Sequence, residues 1–416
     1  MITITSPIQN QFHQRDSRNN AIVKIAGSCD LPCKLIVKLD GKTVQEETLN
    51  GNFQSYKILK QGVYTAEFSI NDIVQRTVTF AVGRVFLCTG HSFAEGVGSA
   101  FVQSEKVFIQ SNIDGAVPPL ASFTNDTPMY KKIKDYAITD VNGSKNEGIW
   151  GQFAENLSKK DDCPVLIYHS SWGGTSVKQW AESASGSRPE GYAGYSFNNP
   201  SDCPYFKTRN ILKYLIKNTG LEAVLIMHGE NDTNDTAENI TANYNKLITA
   251  IRLDANDKEL PIYVSRSTWR SDTERKVISA QNTVIEKNTN VYAGPDITTI
   301  GDYGRKNVQL PRQFDYDEHL NAEGQKKAAA LWADSIKDYH NKTVVGSLVN
   351  KIPFIGGSSA NVQSSNVIGS LAVFVMLVLL NRSVKLGFFG IVGAFCLSVG
   401  VYFSNIFNID YNENSN

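Results

Sequence analysis

The sequence predicts an α/β fold built on a doubly wound parallel sheet, with a small all-β region before it and a pair of long apolar segments after it. Three observations carry this prediction. Over residues 83–340 short apolar runs alternate with helix-patterned stretches, the order that yields parallel strands with helices on both faces. Before residue 83, short β-branched runs follow one another with turn dipeptides between them. After residue 366, two stretches almost free of charge are long enough to span a bilayer.

In chain order, the first region (1–82) has strand-like runs at 21–26, 34–39, 54–58, 63–70 and 74–82. Asp40-Gly41, Asn50-Gly51, Gln61-Gly62 and Asn71-Asp72 are its turn signals. Such spacing suggests a β-sandwich of immunoglobulin-like type. His13 is its lone histidine, expected on the surface. The second region (83–340) has strands at 85–87, 165–168, 223–227, 261–265 and 291–293. Helical patterns cover 205–218, closed by Gly220, then 237–253, 272–287 and 322–339. A Gly/Ser/Asn-bearing linker (341–366) leads to the apolar segments 367–380 and 386–407, read as a transmembrane hairpin, and to the polar tail 408–416.

Lys plus Arg and Asp plus Glu number 41 each, so the net charge is zero and no nucleic-acid partner is expected. The 6 cysteines include no CxxC pair; Cys29 and Cys33 suit a small loop disulfide or a reduced pair equally. The N-terminal MITITSPIQNQF lacks a basic stretch followed by an apolar core, so no signal peptide is expected.

The chemistry concentrates at the carboxyl ends of the predicted strands, where open α/β sheets bind ligands. VFLCTGHSFAEG (85–96) reads as strand, tight turn and helix start, with Ser92 at the turn. YHSSWGGTSVKQW (168–180) brings Gly173 and Gly174 to a strand end. HGEND (228–232) brings Asn231, and FDYDEHLNAEG (314–324) brings His319 with Asp315 and Asp317 beside it. These residues amount to a nucleophile, a base, an orienting acid and oxyanion donors, the parts needed for acyl transfer. A metal site from His91, His169, His228, Glu230 and Asp232 matches no metal-ligand spacing and is not favoured. Trp172 and Trp180 suit a sugar-binding floor or the core equally; Cys88, inside a strand, is expected in the core.

Residues 83–339 resemble an SGNH-type (GDSL-like) hydrolase, with its flavodoxin-like sheet, and more narrowly the sialate and carbohydrate O-acetylesterase branch. GGTSVKQW, GEND and HLNAEG carry the resemblance. It implies Ser92 as nucleophile and His319 as base. The oxyanion hole would be the Ser92 N–H, the Gly174 N–H (Gly173 as runner-up) and the Asn231 side chain. Three departures stand out. His91 and Phe93 replace the usual Gln and Asn, His228 replaces another Gln, and Tyr316 occupies the acid position. Asp317 is then the expected acid; a Ser–His pair with a backbone carbonyl in its place is the alternative.

The resulting expectation is a membrane-anchored serine esterase that removes O-acetyl groups from a polysaccharide or sialylated glycan without a cofactor or metal. The loop 188–206 is expected to wall its substrate cleft. Two rivals are a carbohydrate-binding or host-recognition protein with impaired turnover, and a membrane-tethered lysophospholipase or thioesterase. Expected partners are the acetylated glycan and, through the hairpin, a lipid bilayer, with a homo-oligomer or capsid proteins also open. Arg382 and Lys385 favour a cytoplasmic hairpin connection and an external catalytic region, which the missing signal peptide opposes. The catalytic region is therefore expected on the cytoplasmic side of the host membrane. Inward budding of a viral membrane would turn that side outward, as a virion spike; the alternative location is the cell envelope.

Overall fold

Strands β1 (Ile2–Ser6), β2 (Gln11–Gln14), β3 (Asn20–Leu39), β4 (Lys42–Lys60) and β5 (Gly62–Ile70) lead into β6 (Ile73–Gly90), on which the described sheet is built. A computed structural model of the chain describes residues 1–95, 102, 104–110, 130–132, 148–191, 196–198, 203–268, 275–301 and 319–337. The linker 341–366, the apolar hairpin 367–407 and the tail 408–416 lie outside the described residues. Among the described residues, no helix is long and apolar enough to cross a membrane.

β3 and β4 form one long antiparallel hairpin closed by Asp40-Gly41, both at positive φ as a tight right-twisted hairpin requires. Asn71-Asp72 closes β5 onto β6 in the same way. Asn50-Gly51 does not separate two strands. It falls inside β4, opposite the register shift between Cys29 and Cys33, where the hairpin is irregular. β1 then pairs with the first half of β3 and β5 with the second. Ile25, Leu35, Phe53, Phe68 and Phe80 share one buried cluster, so both halves of the hairpin enclose the same core. Cys29 and Cys33 lie in it as free thiols. His13 is buried on β2, edge-on to Phe80, not on the surface.

The immunoglobulin-like sandwich expected for 1–82 is therefore replaced by the antiparallel half of a curled, continuous sheet. The physical reason is β6, which runs unbroken from Ile73 to Gly90. Its first half pairs antiparallel with β5, and β2 joins it in parallel at Phe80–Gly83. Its second half is the central strand of a parallel sheet.

That parallel sheet adds β7 (Val107–Gln110), β8 (Tyr130–Lys132), β9 (Val165–His169), β10 (Ala223–Met227), β11 (Ile262–Arg266) and β12 (Val291–Asp296). The order is β7-β9-β6-β10-β11-β12, with β8 antiparallel on β7. This departs from the expected flavodoxin-like order, in which the first strand neighbours the second. Here the chain returns from β7 and fills the position beside β6 with β9. It then crosses to β10 on the other side of β6. The carboxyl ends of β9, β6 and β10 thus surround the switch point.

The helices are α1 (Ser92–Glu95), α2 (Gly148–Asp161), α3 (Val177–Ala184), α4 (Tyr205–Asn210), α5 (Ile216–Thr219), α6 (Ala237–Asp254), α7 (Lys276–Lys287) and α8 (Ala322–Ser335). A π-helical turn, Ile211–Leu215, joins α4 to α5. Strand alternation decides what each face covers. Val85, Leu87, Val224 and Ile226 pack with α3, α4, α6 and α7. Phe86, Cys88, Leu225 and Met227 pack with α1, α2 and α8. The doubly wound arrangement follows.

At the foot of the parallel part of β6, the Arg84 guanidinium is buried against the carboxylates of Glu222 and Asp161. Gln14 adds a bond to each side, from its Nε2 to Glu222 Oε2 (3.3 Å) and from Val85 N–H to its Oε1 (2.7 Å).

Candidate active site

Three strand ends and the start of α8 build the site. At the end of β6, Gly90 has φ +151°, and a Cβ there would lie 2.1 Å from the Met227 carbonyl oxygen. Only glycine lets β6 and β10 approach so closely at this level. His91 N–H donates to that same oxygen (3.3 Å), and the His91 carbonyl accepts from Ala94 and Glu95 N–H (2.8 and 3.1 Å). These bonds fold the single turn α1 and hold Ser92, half-buried, at the carboxyl end of the central strand.

Beyond β9 the chain stays bonded to β6, with Ser170 N–H on Cys88 O (3.0 Å) and Trp172 N–H on Gly90 O (2.9 Å). Gly173 N–H donates to the buried Glu95 carboxylate. Thr175 Oγ1 donates to Trp172 O (2.6 Å) and accepts from Trp180 Nε1 (2.8 Å), so Trp180 is a core residue that braces this loop. Ser176 and Gln179 form a reciprocal capping box that starts α3.

Beyond β10, Gly229 has φ +154° and its missing Cβ would fall 1.7 Å from Ser267 O, so this sharp turn too requires glycine. Asn231 Nδ2 donates to Thr175 O (3.1 Å), and Val177 N–H donates to Asp232 Oδ1 (2.8 Å). Two hydrogen bonds thus tie the 230–232 turn to the 173–177 loop. A cleft of about 370 Å³ opens where they meet, with Gly174 and Asn231 in its lining and α3 and Glu190-Gly191 as its wall. Glu190 and Gly191 belong to the loop expected to wall the cleft.

His319 precedes α8, and its ring lies 5.5 Å from that of Phe93, the neighbour of Ser92. The structure therefore brings Gly174 to Asn231 and His319 to the residue after Ser92. Ser92 and His319 are not among the described residues that line the cleft. Asp315 and Asp317 lie outside the described residues.

His91 is fully buried. Burial, with the nearby His319 adding to it, pulls its pKa down to about 3, so the ring is neutral. Phe93 N–H approaches its Nδ1 (3.2 Å) and Glu230 N–H its Nε2 (3.3 Å). A neutral imidazole has one acceptor nitrogen, so it accepts one of these amides at a time. His228 is wedged between Trp180 (5.2 Å) and His91 (5.6 Å), and burial holds its pKa well below the usual value. Among the described residues, no group of three or more His, Cys, Asp or Glu side chains could hold a metal ion.

The family model for "carbohydrate esterase, sialic acid-specific acetylesterase" matches residues 82–338. The chain belongs to this acetylesterase family. No curated protein matches it. Among solved structures it is similar to a carbohydrate acetylesterase from Xanthomonas citri, at 15% identity over 80% of this chain and 74% of that one, TM-score 0.48. It is also similar to a protein from Arabidopsis thaliana (20% identity, 61% and 96% covered, TM-score 0.39). A third is an acetyl xylan esterase from the rumen bacterium Butyrivibrio proteoclasticus (13% identity, 80% and 96% covered, TM-score 0.33).

Within the acetylesterase pattern, two departures now have a structural meaning. His91 and His228 stand at the glutamine positions as neutral, buried rings that pack on each other, and His228 packs on Trp180 as well. Glu95 was missed by sequence reasoning; its only signal was a carboxylate at the close of an apolar turn. Asp232, on the turn beyond β10, is also buried. Burial pushes its pKa up to about 8, and among the described residues Oδ2 has no partner. Because the folded pKa is raised, its contribution to stability is fully present below about pH 4 and is lost as pH rises through about 8. Asp232→Asn keeps an oxygen for Val177 N–H and removes the titration. Its stability relative to the parent should rise between pH 4 and pH 8, by up to several kcal/mol, in urea unfolding at stepped pH. A difference that stays flat over that range would contradict the assignment.

Proposed function

We propose that this acetylesterase removes O-acetyl groups from carbohydrate by serine catalysis, with Ser92 as nucleophile and His319 as base. Ser92 Oγ adds to the acetyl carbonyl carbon as His319 takes its proton. The oxyanion is held by the Ser92 and Gly174 N–H groups and the Asn231 amide. Collapse expels the sugar hydroxyl, which receives the proton from His319, and leaves an acetyl-enzyme. Water, deprotonated by His319, then releases acetate and restores Ser92. Asp317 is the proposed acid that orients His319.

One observation carries the reading: Gly174 and Asn231 border one cleft at the strand ends flanking Ser92. Two details support the oxyanion set. Gly173 N–H is engaged by Glu95, which favours Gly174 over its runner-up. Asn231 uses one amide hydrogen on Thr175 O, and a primary amide carries a second. Asn231→Ala should lower kcat for p-nitrophenyl acetate by about 10²- to 10³-fold, the usual effect of losing one oxyanion donor. A kcat within a factor of about two of the parent would remove Asn231 from the mechanism and weaken the reading of the cleft.

A further inference from the structure

The proposed oxyanion donors come from separate pieces of chain: the turn that carries Ser92, the 173–177 loop and the 230–232 turn. These pieces must keep a fixed register, because a displacement of about 1 Å can cost about 10²-fold in rate. Asn231 Nδ2 on Thr175 O and Val177 N–H on Asp232 Oδ1 join the 230–232 turn to the 173–177 loop. Neither bond reaches the turn that carries Ser92. The His91 ring does reach across from that turn: its Nε2 lies 3.3 Å from the backbone nitrogen of Glu230, the residue before Asn231.

The ring is held for this contact. It is fully buried, edge-on to Phe93 (4.8 Å between ring centroids) and to His228 (5.6 Å). His228 contributes packing and no anchor, since neither of its ring nitrogens has a hydrogen-bond partner among the described residues. On the far side, Gly229 seats the start of the 230–232 turn against Ser267 O, where a Cβ would fall 1.7 Å away. A neutral imidazole has one lone pair for the two amides that face it, Phe93 N–H at Nδ1 and Glu230 N–H at Nε2. Phe93 belongs to the same turn as His91, so a bond to it stays local. A bond to Glu230 crosses from the end of β6 to the chain beyond β10.

We propose that His91 is a positioning residue: its Nε2 accepts from Glu230 N–H and so holds the Asn231 amide in register with the turn that carries Ser92. The inference rests on the proposed function for the part Asn231 plays in the reaction. Loss of the link leaves the substrate cleft in place and misplaces one oxyanion donor, so it lowers kcat and spares KM.

Substitutions at position 91 of the full chain separate the two ring nitrogens. His91→Phe keeps a ring and removes both acceptors. His91→Asn offers an oxygen near the place of Nδ1, and His91→Gln offers one near the place of Nε2. With p-nitrophenyl acetate, His91→Phe and His91→Asn should lower kcat about 10- to 100-fold with KM within about threefold of the parent, while His91→Gln stays within about fivefold in kcat. In an Asn231→Ala background His91→Phe should cost less than about threefold more, because the donor it positions is already gone. Hydrogen exchange over 228–232, read by mass spectrometry, should quicken in His91→Phe and His91→Asn but not in His91→Gln. That readout needs no turnover. The expected exchange pattern beside an Asn231→Ala enzyme of parental kcat would sink the oxyanion reading and leave the link itself standing. His91→Gln as impaired as His91→Asn, or a full His91→Phe loss on top of Asn231→Ala, would overturn the inference. If His91→Phe does not fold, the Asn and Gln variants, one methylene apart, carry the same decision.

Discussion

Ser92→Ala should lower kcat/KM for acetate release by about 10⁴-fold or more, and His319→Ala by a similar factor. Ser92 is half-buried at the end of β6, and its backbone is fixed by the bonds His91 makes to Met227, Ala94 and Glu95. Alanine removes one oxygen and leaves those bonds alone, so thermal unfolding should stay close to that of the parent. In the proposed mechanism the two residues act on one proton and one carbonyl. The double variant should therefore be little worse than either single one, since members of one catalytic unit are far from additive. Full activity in Ser92→Ala would end the serine mechanism.

Arg84→Ala should destabilise the fold by about 3–5 kcal/mol, the usual consequence of leaving a buried charge without its partner. Arg84 bonds to Glu222 through Nε (3.2 and 3.0 Å) and again through its terminal nitrogen, and it also reaches Asp161. The Glu222 side chain is only 4% exposed, so water cannot take over from the guanidinium. Adding Glu222→Gln should recover part of the loss, because the stranded charge is then gone. Urea unfolding of the single and double variants measures both effects. A loss below about 1 kcal/mol for Arg84→Ala would mean that the pair is effectively solvated.

How much of this was legible in the sequence follows from local physics. Strands β9 and β10 are short, continuous apolar runs buried on both faces, so their order alone points to a parallel sheet. The expected helices ending at 218 and 253 reappear as α4–α5 and α6 because Gly220, at φ +78°, and an amphipathic face mark them. β6 was not legible as one strand. Gly83 and Arg84 interrupt its apolar run, and nothing local says that Arg84 would be neutralised by Glu222, far along the chain. The separate immunoglobulin-like module followed from that break.

The site divides in the same way. Ser92, Gly174, Asn231 and His319 stand next to glycines or helix starts, so motif spacing could single them out. Glu95 and Asp232 act through tertiary contacts with Gly173 and Val177, which spacing does not encode. The neutral, packed state of His91 and His228 likewise depends on burial. As bare sequence they read as candidate metal ligands or altered catalytic positions.

The most direct test of the serine mechanism is covalent labelling with an organophosphonate, mapped by peptide mass spectrometry. The label should sit on Ser92, and it should be lost in Ser92→Ala and strongly slowed in His319→Ala. A label on Ser176, the serine that lines the neighbouring cleft, or no label on a chain that still releases acetate, would contradict it.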